Sequence, residues 1–259
     1  MRTILQLVAT VLASMLVAVV GLCVVRSIVP AAVLRANNEV AGNYLQTLGT
    51  IYAVLLAFVV FVVWSQYNET TKTVEREADE LADVLRFVRM CPEPGRSRLL
   101  EAARDFCREQ IDREWPSMAR GAASPRAGQL LDAFWQALAG TEPKDVREQT
   151  LFAEAITRFN EMCDARTDLI ESSRTRLPPT MWMLVLTGGS STVTSMYLFG
   201  LERFWPLAVM TASLAGGVSF VLYVIYDLDN PFTGDWQARS DPIRLVLDQI
   251  EREIATAAK

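Results

Sequence analysis

Residues 48–64 read LGTIYAVLLAFVVFVVW, a stretch without a single charged side chain. A helix of about 20 apolar residues crosses the roughly 30 Å of hydrocarbon in a bilayer. The following residues, SQYNETTKTVEREADE, bring charged side chains back at once. We therefore predict that residues 48–64 form a transmembrane helix that leads into a solvated segment.

Three further stretches have the same character, at about residues 4–25, 181–201 and 205–226. A cleaved signal peptide is the alternative for the first, but its apolar run exceeds the roughly 7–15 residues of a signal core and no small-residue cleavage site follows it. Only Glu202-Arg203-Phe204 separates the last two stretches, which predicts a hairpin. The expected fold is an all-α integral membrane protein with four transmembrane helices and a helical cytoplasmic bundle inserted between spans two and three.

Basic residues near the ends of the spans predict the orientation, because cytoplasmic loops carry an excess of Lys and Arg. One side would hold Arg2, Lys72, Arg76, Arg166, Arg174, Arg176, Arg239 and Arg244, and the other only Arg26, Arg35 and Arg203. We expect a multi-pass protein of the plasma (inner) membrane with both termini in the cytoplasm. The predicted segments are a transmembrane hairpin at 1–64, a cytoplasmic helical domain at 65–177, a second hairpin at 178–226 and a cytoplasmic tail at 227–259.

The inserted segment shows helical periodicity. Val74, Ala78, Leu81, Leu85 and Val88 are spaced by four and three residues and form one apolar stripe. Further helices are expected from Leu99 to Trp115, from the Ser124-Pro125 start signal to Gly140, and onward from Thr141 as N-cap. The first and last helices are expected to continue spans two and three. The carboxylates Glu75, Glu77, Asp79 and Glu80 are expected to form a solvated face.

Composition excludes several classes of function. The chain has no histidine, which removes the commonest general base and zinc ligand, and its net charge of −5 offers no basic stripe for nucleic acid. The four cysteines lack paired spacing and are expected to be unpaired packing residues. No nucleotide-binding loop or nucleophile elbow is present. We predict neither an enzyme nor a catalytic site, metal or cofactor.

Small and polar residues follow distinct faces of the predicted spans. Gly49, Ala53 and Ala57 recur every four residues in span two, and this spacing favours close helix packing. The glycine pairs of spans three and four, Gly188, Gly189, Gly216 and Gly217, predict close packing too. A neighbouring face of span two carries Thr50, Val54 and Phe58. This second face could contact lipid or another helix, or it could line a hydrophobic pore constriction.

A turn follows span four in the sequence Asp229-Asn230-Pro231-Phe232-Thr233-Gly234-Asp235. Proline and glycine predict a sharp stop after the helix. The simplest interpretation is a turn that pins the tail beneath the membrane. A calcium loop is an alternative because the ligands would be oxygens, although the EF-hand pattern is absent.

These stretches together carry a resemblance that covers nearly the whole chain. The matching segments are 38–42 (NEVAG), 52–58 (YAVLLAF) leading to Trp64, 77–78 (EA), 114–118 (EWPSM) and 228–234 (LDNPFTG). They resemble the bestrophin-like membrane family of bacteria and, more remotely, the bestrophin ion channels.

The resemblance implies a homopentamer in the lipid bilayer that conducts inorganic ions passively through a neck formed by span two. Thr50, Val54 and Phe58 would then line this neck. The acidic run that follows the equivalent turn in calcium-gated bestrophins is reduced here to Asp235 and Asp241, so calcium gating is not implied. The alternative function is a non-conducting membrane scaffold or sensor whose cytoplasmic helices bind a protein partner.

Overall fold

The computed structural model describes residues 2–257; Met1 and residues 258–259, which the predicted terminal segments include, lie outside this range. Every regular element of the described chain is helical. The α-helices are α1 (Arg2–Ile28), α2 (Ala31–Ala36), α3 (Asn38–Val88), α4 (Gly95–Glu109), α5 (Trp115–Met118), α6 (Pro125–Ala139), α7 (Val146–Arg174), α8 (Pro179–Ser195), α9 (Phe204–Leu228) and α10 (Asp241–Ala257). A π-helical turn, Gln110–Glu114, joins α4 to α5, and a 3₁₀ turn, Met196–Leu198, follows α8.

The chain divides into two compact units. The first unit comprises Met1–Ser65 and Arg176–Asp229, and the second comprises Gln66–Thr175 and Asn230–Lys259. Helix α3 contributes residues to both units. The residues that follow Asp229 therefore belong to the same unit as the inserted segment.

Three helices of the described chain, α1, α3 and α9, are long and apolar enough to cross a membrane. Helix α8 has 17 residues, which is at the lower limit of the roughly 17–25 that a crossing takes. The prediction of a continuous span over 181–201 was wrong at its end, because α8 stops at Ser195. Backbone groups beyond that point bond outside a helix: Gly200 N donates to Asn38 Oδ1 (2.8 Å), and Leu201 O accepts from the Arg26 guanidinium (2.7 Å).

The first unit is held together by contacts among α1, α8 and α9. Leu22 of α1 packs with Met196, Leu207 and Ala208 in one buried cluster. Gly216 of α9 allows a close approach, because a Cβ there would lie 3.1 Å from Met15 Cγ on α1. Small residues at such crossings let two helix backbones approach closely where van der Waals packing must provide the attraction.

The second unit has a continuous apolar core. The stripe of α3 contributes Ala78, Leu81, Leu85 and Val88, which pack against buried residues of α4, α6 and α7. Helix α10, which the sequence analysis did not predict, adds Ile243, Val246, Leu247 and Ile250 to the same core. Four residues at this spacing cover one face of a helix, so α10 is amphipathic and its apolar face completes the bundle.

The structure confirms the continuation of span two and the start of α6, but it contradicts the predicted cap of α7 and the predicted continuation of α7 into α8. Helix α3 continues beyond residue 64 to Val88 as expected, although it begins at Asn38 rather than near Leu48. The Ser124 hydroxyl caps α6 by accepting from Ala127 N (3.3 Å). Thr141 does not cap α7; Asp145 does, accepting from Glu148 N at 2.7 Å. The intervening Pro143 disfavours helical backbone at the residue before it.

Helix α7 also does not continue into α8, because it ends at Arg174 and Thr175 turns to extended backbone at ψ 127°. Pro178, at ψ 143°, keeps the connection extended, and α8 begins only at Pro179. Proline cannot donate a backbone hydrogen bond and restricts the residue before it, so two successive prolines separate the helices.

Candidate pore-lining face

Thr50, Val54 and Phe58 lie on one exposed face of α3. The exposed fraction is 66 % for Val54 and 59 % for Phe58, and Thr50 is exposed as well. The Thr50 hydroxyl donates to the backbone oxygen of Gln46 at 2.8 Å, so its proton is already satisfied within the helix. Large apolar side chains exposed in a row, with one hydroxyl one turn away, form a surface that nothing else in the described chain covers.

The opposite face of the same stretch is packed. Tyr52, Val59 and Val63 are buried, and the Tyr52 hydroxyl donates to Val185 O of α8 at 3.1 Å. At about 100° per residue, the centre of this buried face lies about 160° around α3 from the centre of the exposed one. The packing of the chain therefore turns the Thr50–Val54–Phe58 face away from the other helices of its own unit.

The remaining predicted face of span two is not covered by other residues of the described chain. Ala53 and Ala57 are exposed, and a Cβ placed on Gly49 would have no atom of the described chain within 4 Å. No helix of the described chain packs on this face, so the predicted close packing remains a proposal about contact with another molecule.

The glycines of α8 and α9 differ from one another. A Cβ on Gly188 would lie 2.6 Å from Tyr52 Cδ2, and one on Gly189 would lie 2.7 Å from the Tyr52 hydroxyl and 2.9 Å from Val218. Real Cβ atoms essentially never approach so closely, so the Tyr52 ring can occupy its place only beside glycine. Gly217 in contrast has open space around it.

Asp229 closes the carboxyl end of α9. Its carboxylate accepts from the backbone nitrogen of Leu177 (2.7 Å) and from Trp182 Nε1 (3.4 Å). Burial raises the pKa of Asp229, while these two hydrogen bonds lower it. One side chain thus links the end of α9 to the segment that begins α8, which the sequence alone did not indicate.

The rest of the predicted turn lies in the second unit. Phe232 is buried and meets Trp115 edge-on, with ring centroids 5.6 Å apart. Pro231 O accepts from Ala238 N at 2.6 Å, and Asn230 O accepts from Thr233 N at 2.9 Å. Gly234 has φ 82°, in the left-handed region where a side chain would be strained.

Asp235 is exposed, and within residues 2–257 no group of three or more Cys, Asp or Glu side chains is arranged to hold a metal ion. The Phe232–Trp115 contact and the backbone hydrogen bonds described above hold the turn in the second unit.

The family model of the Bestrophin-like domain matches residues 8–243. The chain belongs to the Bestrophin-like family. A comparison with curated protein sequences gives no match.

Solved structures share the fold of this bestrophin-like chain. One variant of a bacterial bestrophin homolog from Klebsiella pneumoniae has a TM-score of 0.66 at 12 % identity, covering 98 % of this chain and 97 % of that one. A structure of the homolog obtained by zinc phasing has a TM-score of 0.65 at 12 % identity, with 93 % and 96 % covered. At this identity the likeness establishes the fold, and with the family match it identifies a helical membrane protein.

The bestrophin-like chain also contains buried carboxylates in its second unit. Glu75 and Asp79 are exposed as predicted, but the solvated-face prediction was wrong for Glu77, of which only 1 % is exposed. Its place on the buried stripe beside Ala78 follows from the helical period, because residues 74, 77, 78 and 81 share one face. Periodicity was the signal that could have revealed it.

Glu114 of the π-helical turn is also fully buried, and sequence reasoning had treated it only as part of a family motif. Arg166 of α7 binds it in a bidentate pair, with Nε 3.0 Å from Oε2 and Nη2 2.5 Å from Oε1. Such fork geometry gives a charge-assisted pair that can offset the desolvation of both groups.

Proposed function

We propose that this bestrophin-like protein is a passive ion channel of the plasma (inner) membrane, assembled as a homopentamer around a pore lined by α3. The observation that carries the proposal is the exposed Thr50–Val54–Phe58 face. It is apolar, it lies in the middle of a stretch long enough to cross lipid, and it points away from its own unit. Membership of a family related to ion channels, rather than to enzymes, supports the same function.

In a symmetric ring, the Val54 and Phe58 side chains of all copies would face one axis. A narrow apolar neck of this kind controls permeation because water leaves it readily, so it blocks ions without a charged barrier. Thr50 would form a polar mouth one turn from Val54. Its hydroxyl proton is used by Gln46 O, and the oxygen lone pairs that remain can accept hydrogen bonds from ion-bound water.

The neck requires that α3 be held in a fixed rotation, and the buried face supplies this. Tyr52 fits against Gly188 and Gly189 of α8 and bonds to Val185 O. The open Gly49–Ala53–Ala57 face lies beside the proposed pore face and would pack against a neighbouring copy. In this arrangement the four spans are α1, residues 48–64 of α3, α8 and α9. Both termini and the 65–177 domain are cytoplasmic.

Two measurements on the purified full-length protein test this function. The first is the mass in detergent, which should be a fivefold multiple of the 28.9 kDa chain. The second is the flux of chloride and sodium from liposomes that contain the protein, which should exceed that of protein-free liposomes. A monomeric particle or a silent bilayer would contradict the channel, and a silent bilayer would favour the scaffold function in which the spans serve as an anchor.

A further inference from the structure

Glu77 of α3 and Gln110 of the π-helical turn form a buried pair in the second unit. Gln110 Nε2 donates to Glu77 Oε1 at 2.6 Å, and both side chains are 1 % exposed. The other oxygen of each side chain, Glu77 Oε2 and Gln110 Oε1, is buried without a hydrogen-bond partner among the described residues. Two acceptor oxygens on one pair cannot satisfy each other unless one of them carries a hydrogen.

The charges around this pair do not provide a cation for Glu77. Arg166 faces it from α7, but its Nε and Nη2 bond to Glu114, whose Oε1 also accepts from Ser124 N at 3.2 Å, and Glu77 Oε2 has no hydrogen bond to the guanidinium. An ionised Glu77 would therefore place two carboxylates beside one guanidinium in a buried site. A buried charge without its own partner is strongly destabilising.

Two thiols, Cys107 and Cys163, also interact with Glu77, and they add no positive charge. Burial raises the pKa of the Cys107 thiol on α4, and it raises the pKa of Cys163 on α7 to about 11. Both thiols are therefore neutral at physiological pH. The site is electrically balanced only when Glu77 is neutral as well.

We propose that Glu77 is a proton-binding site, and that its bound proton completes an acid–amide pair with Gln110 that fastens the π-helical turn to α3. A hydrogen on Glu77 Oε2 turns one unpartnered acceptor into a donor, and Gln110 Oε1 is the unpartnered acceptor on the same pair. One proton satisfies both atoms. A π-helical turn interrupts the regular α-helical ladder, and such turns often mark functional positions.

The direction of the pH effect follows from the same site. The pKa of Glu77 is raised from an ordinary 4.5 to about 8. Burial is the largest cause and raises it, the hydrogen bond from Gln110 lowers it, the Glu114 carboxylate raises it and the Arg166 guanidinium lowers it. Between these two values the folded protein binds more protons than the unfolded chain. The stabilisation is therefore fully present below about pH 4.5 and is lost as the pH rises toward about 8. This inference concerns the second unit and does not depend on ion conduction.

Glu77→Gln tests the proposal, because an amide can form the reciprocal pair and cannot titrate. The control is Glu75→Gln, which removes an exposed carboxylate two residues away on the same helix. Thermal unfolding of the full-length protein in detergent is measured from about pH 5 to about pH 9. The melting temperature of the wild type and of Glu75→Gln should fall relative to that of Glu77→Gln as the pH rises. Parallel curves for all three proteins would overturn the proposal.

A second measurement needs no variant and covers the case in which Glu77→Gln does not fold. Amide hydrogen exchange of residues 110–114 is compared between about pH 6 and about pH 8 after correction for intrinsic rates, with α6 as the internal reference. Opening that releases the Glu77 proton becomes about tenfold more favourable per pH unit, so protection of the turn should fall by at least about tenfold relative to α6. Unchanged relative protection would overturn the proposal.

Discussion

Helix α3 carries two apolar stripes that differ in what covers them. In the second unit, Leu81, Leu85 and Val88 are buried by α4, α7 and α10 of the same chain. In the first unit, Val54 and Phe58 are exposed, although they too have helical spacing. Helical spacing is common to both stripes, so the sequence pattern alone does not distinguish a stripe that the chain covers itself from one that it leaves for lipid or another copy. The difference separates residues that maintain the fold from candidates for function.

The largest loss of stability is expected in the stripe of α3 that is buried in the second unit. Leu81→Ala should lower the free energy of unfolding by about 2–5 kcal/mol, because it leaves a cavity in a core where Leu81 is 1 % exposed. Chemical unfolding of the full-length protein in detergent checks this value. Val54→Ala is the matched control and should cost less than about 1 kcal/mol. Equal losses at the two positions would remove the distinction between the stripes.

A smaller loss of stability is expected where the buried Tyr52 face of α3 packs against α8. Gly188→Ala should cost about 1–3 kcal/mol, because the new Cβ would lie 2.6 Å from the Tyr52 ring and the ring must move. Gly217→Ala places the same methyl group in open space on α9 and, by reducing backbone entropy of the unfolded chain, should be neutral or stabilising by up to about 1 kcal/mol. Thermal unfolding of the two variants side by side measures the contrast. If both glycines tolerate alanine equally, Tyr52 does not fix the rotation of α3.

The smallest effect on stability, and the most specific effect on function, is expected at the exposed stripe. Phe58→Ala should unfold like the wild type within about 1 kcal/mol and should raise ion leak in liposomes, because the neck would become wider. Val54→Asp should change the preference between chloride and sodium, since a ring of carboxylates favours cations.

Phe220→Ala is the control for the liposome assay, because Phe220 is an exposed aromatic residue of α9 rather than α3. Its flux should equal that of the wild type. Equal leak in Phe58→Ala and Phe220→Ala would show that the α3 face has no special role in permeation.

The sequence predicted the parts of the fold that depend on long, uniform patterns. The apolar run at 48–64 lies within α3, and the unbroken continuation of that helix was expected from its periodicity. The irregular backbone at residues 200 and 201 was not predictable in this way, because Gly200 N and Leu201 O bond to the distant side chains of Asn38 and Arg26. Local patterns contain no information about such distant partners.

Two misjudged elements had local signals. Ile243, Val246, Leu247 and Ile250 have helical spacing that indicated α10, and Glu77 lies in register with the buried stripe. Glu77 was assigned to solvent because a carboxylate is rarely buried. In its buried position it accepts a hydrogen bond from Gln110, which lies 33 residues further along the chain. For the candidate site, the sequence named the Thr50, Val54 and Phe58 face, and the structure added that Tyr52 holds the opposite face.

The Asp229 carboxylate has a consequence for how α8 and α9 can move. Asp229 follows the last turn of α9, and its carboxylate accepts hydrogen bonds from Leu177 N and Trp182 Nε1 at the start of α8. These bonds join the two helices of the hairpin at the end opposite their connecting loop. The opposite end is joined by the short 199–203 connection. Sliding of one helix along the other would break the Asp229 hydrogen bonds, and any shift of α9 along its axis would carry α8, and the Gly188 contact with Tyr52, along with it.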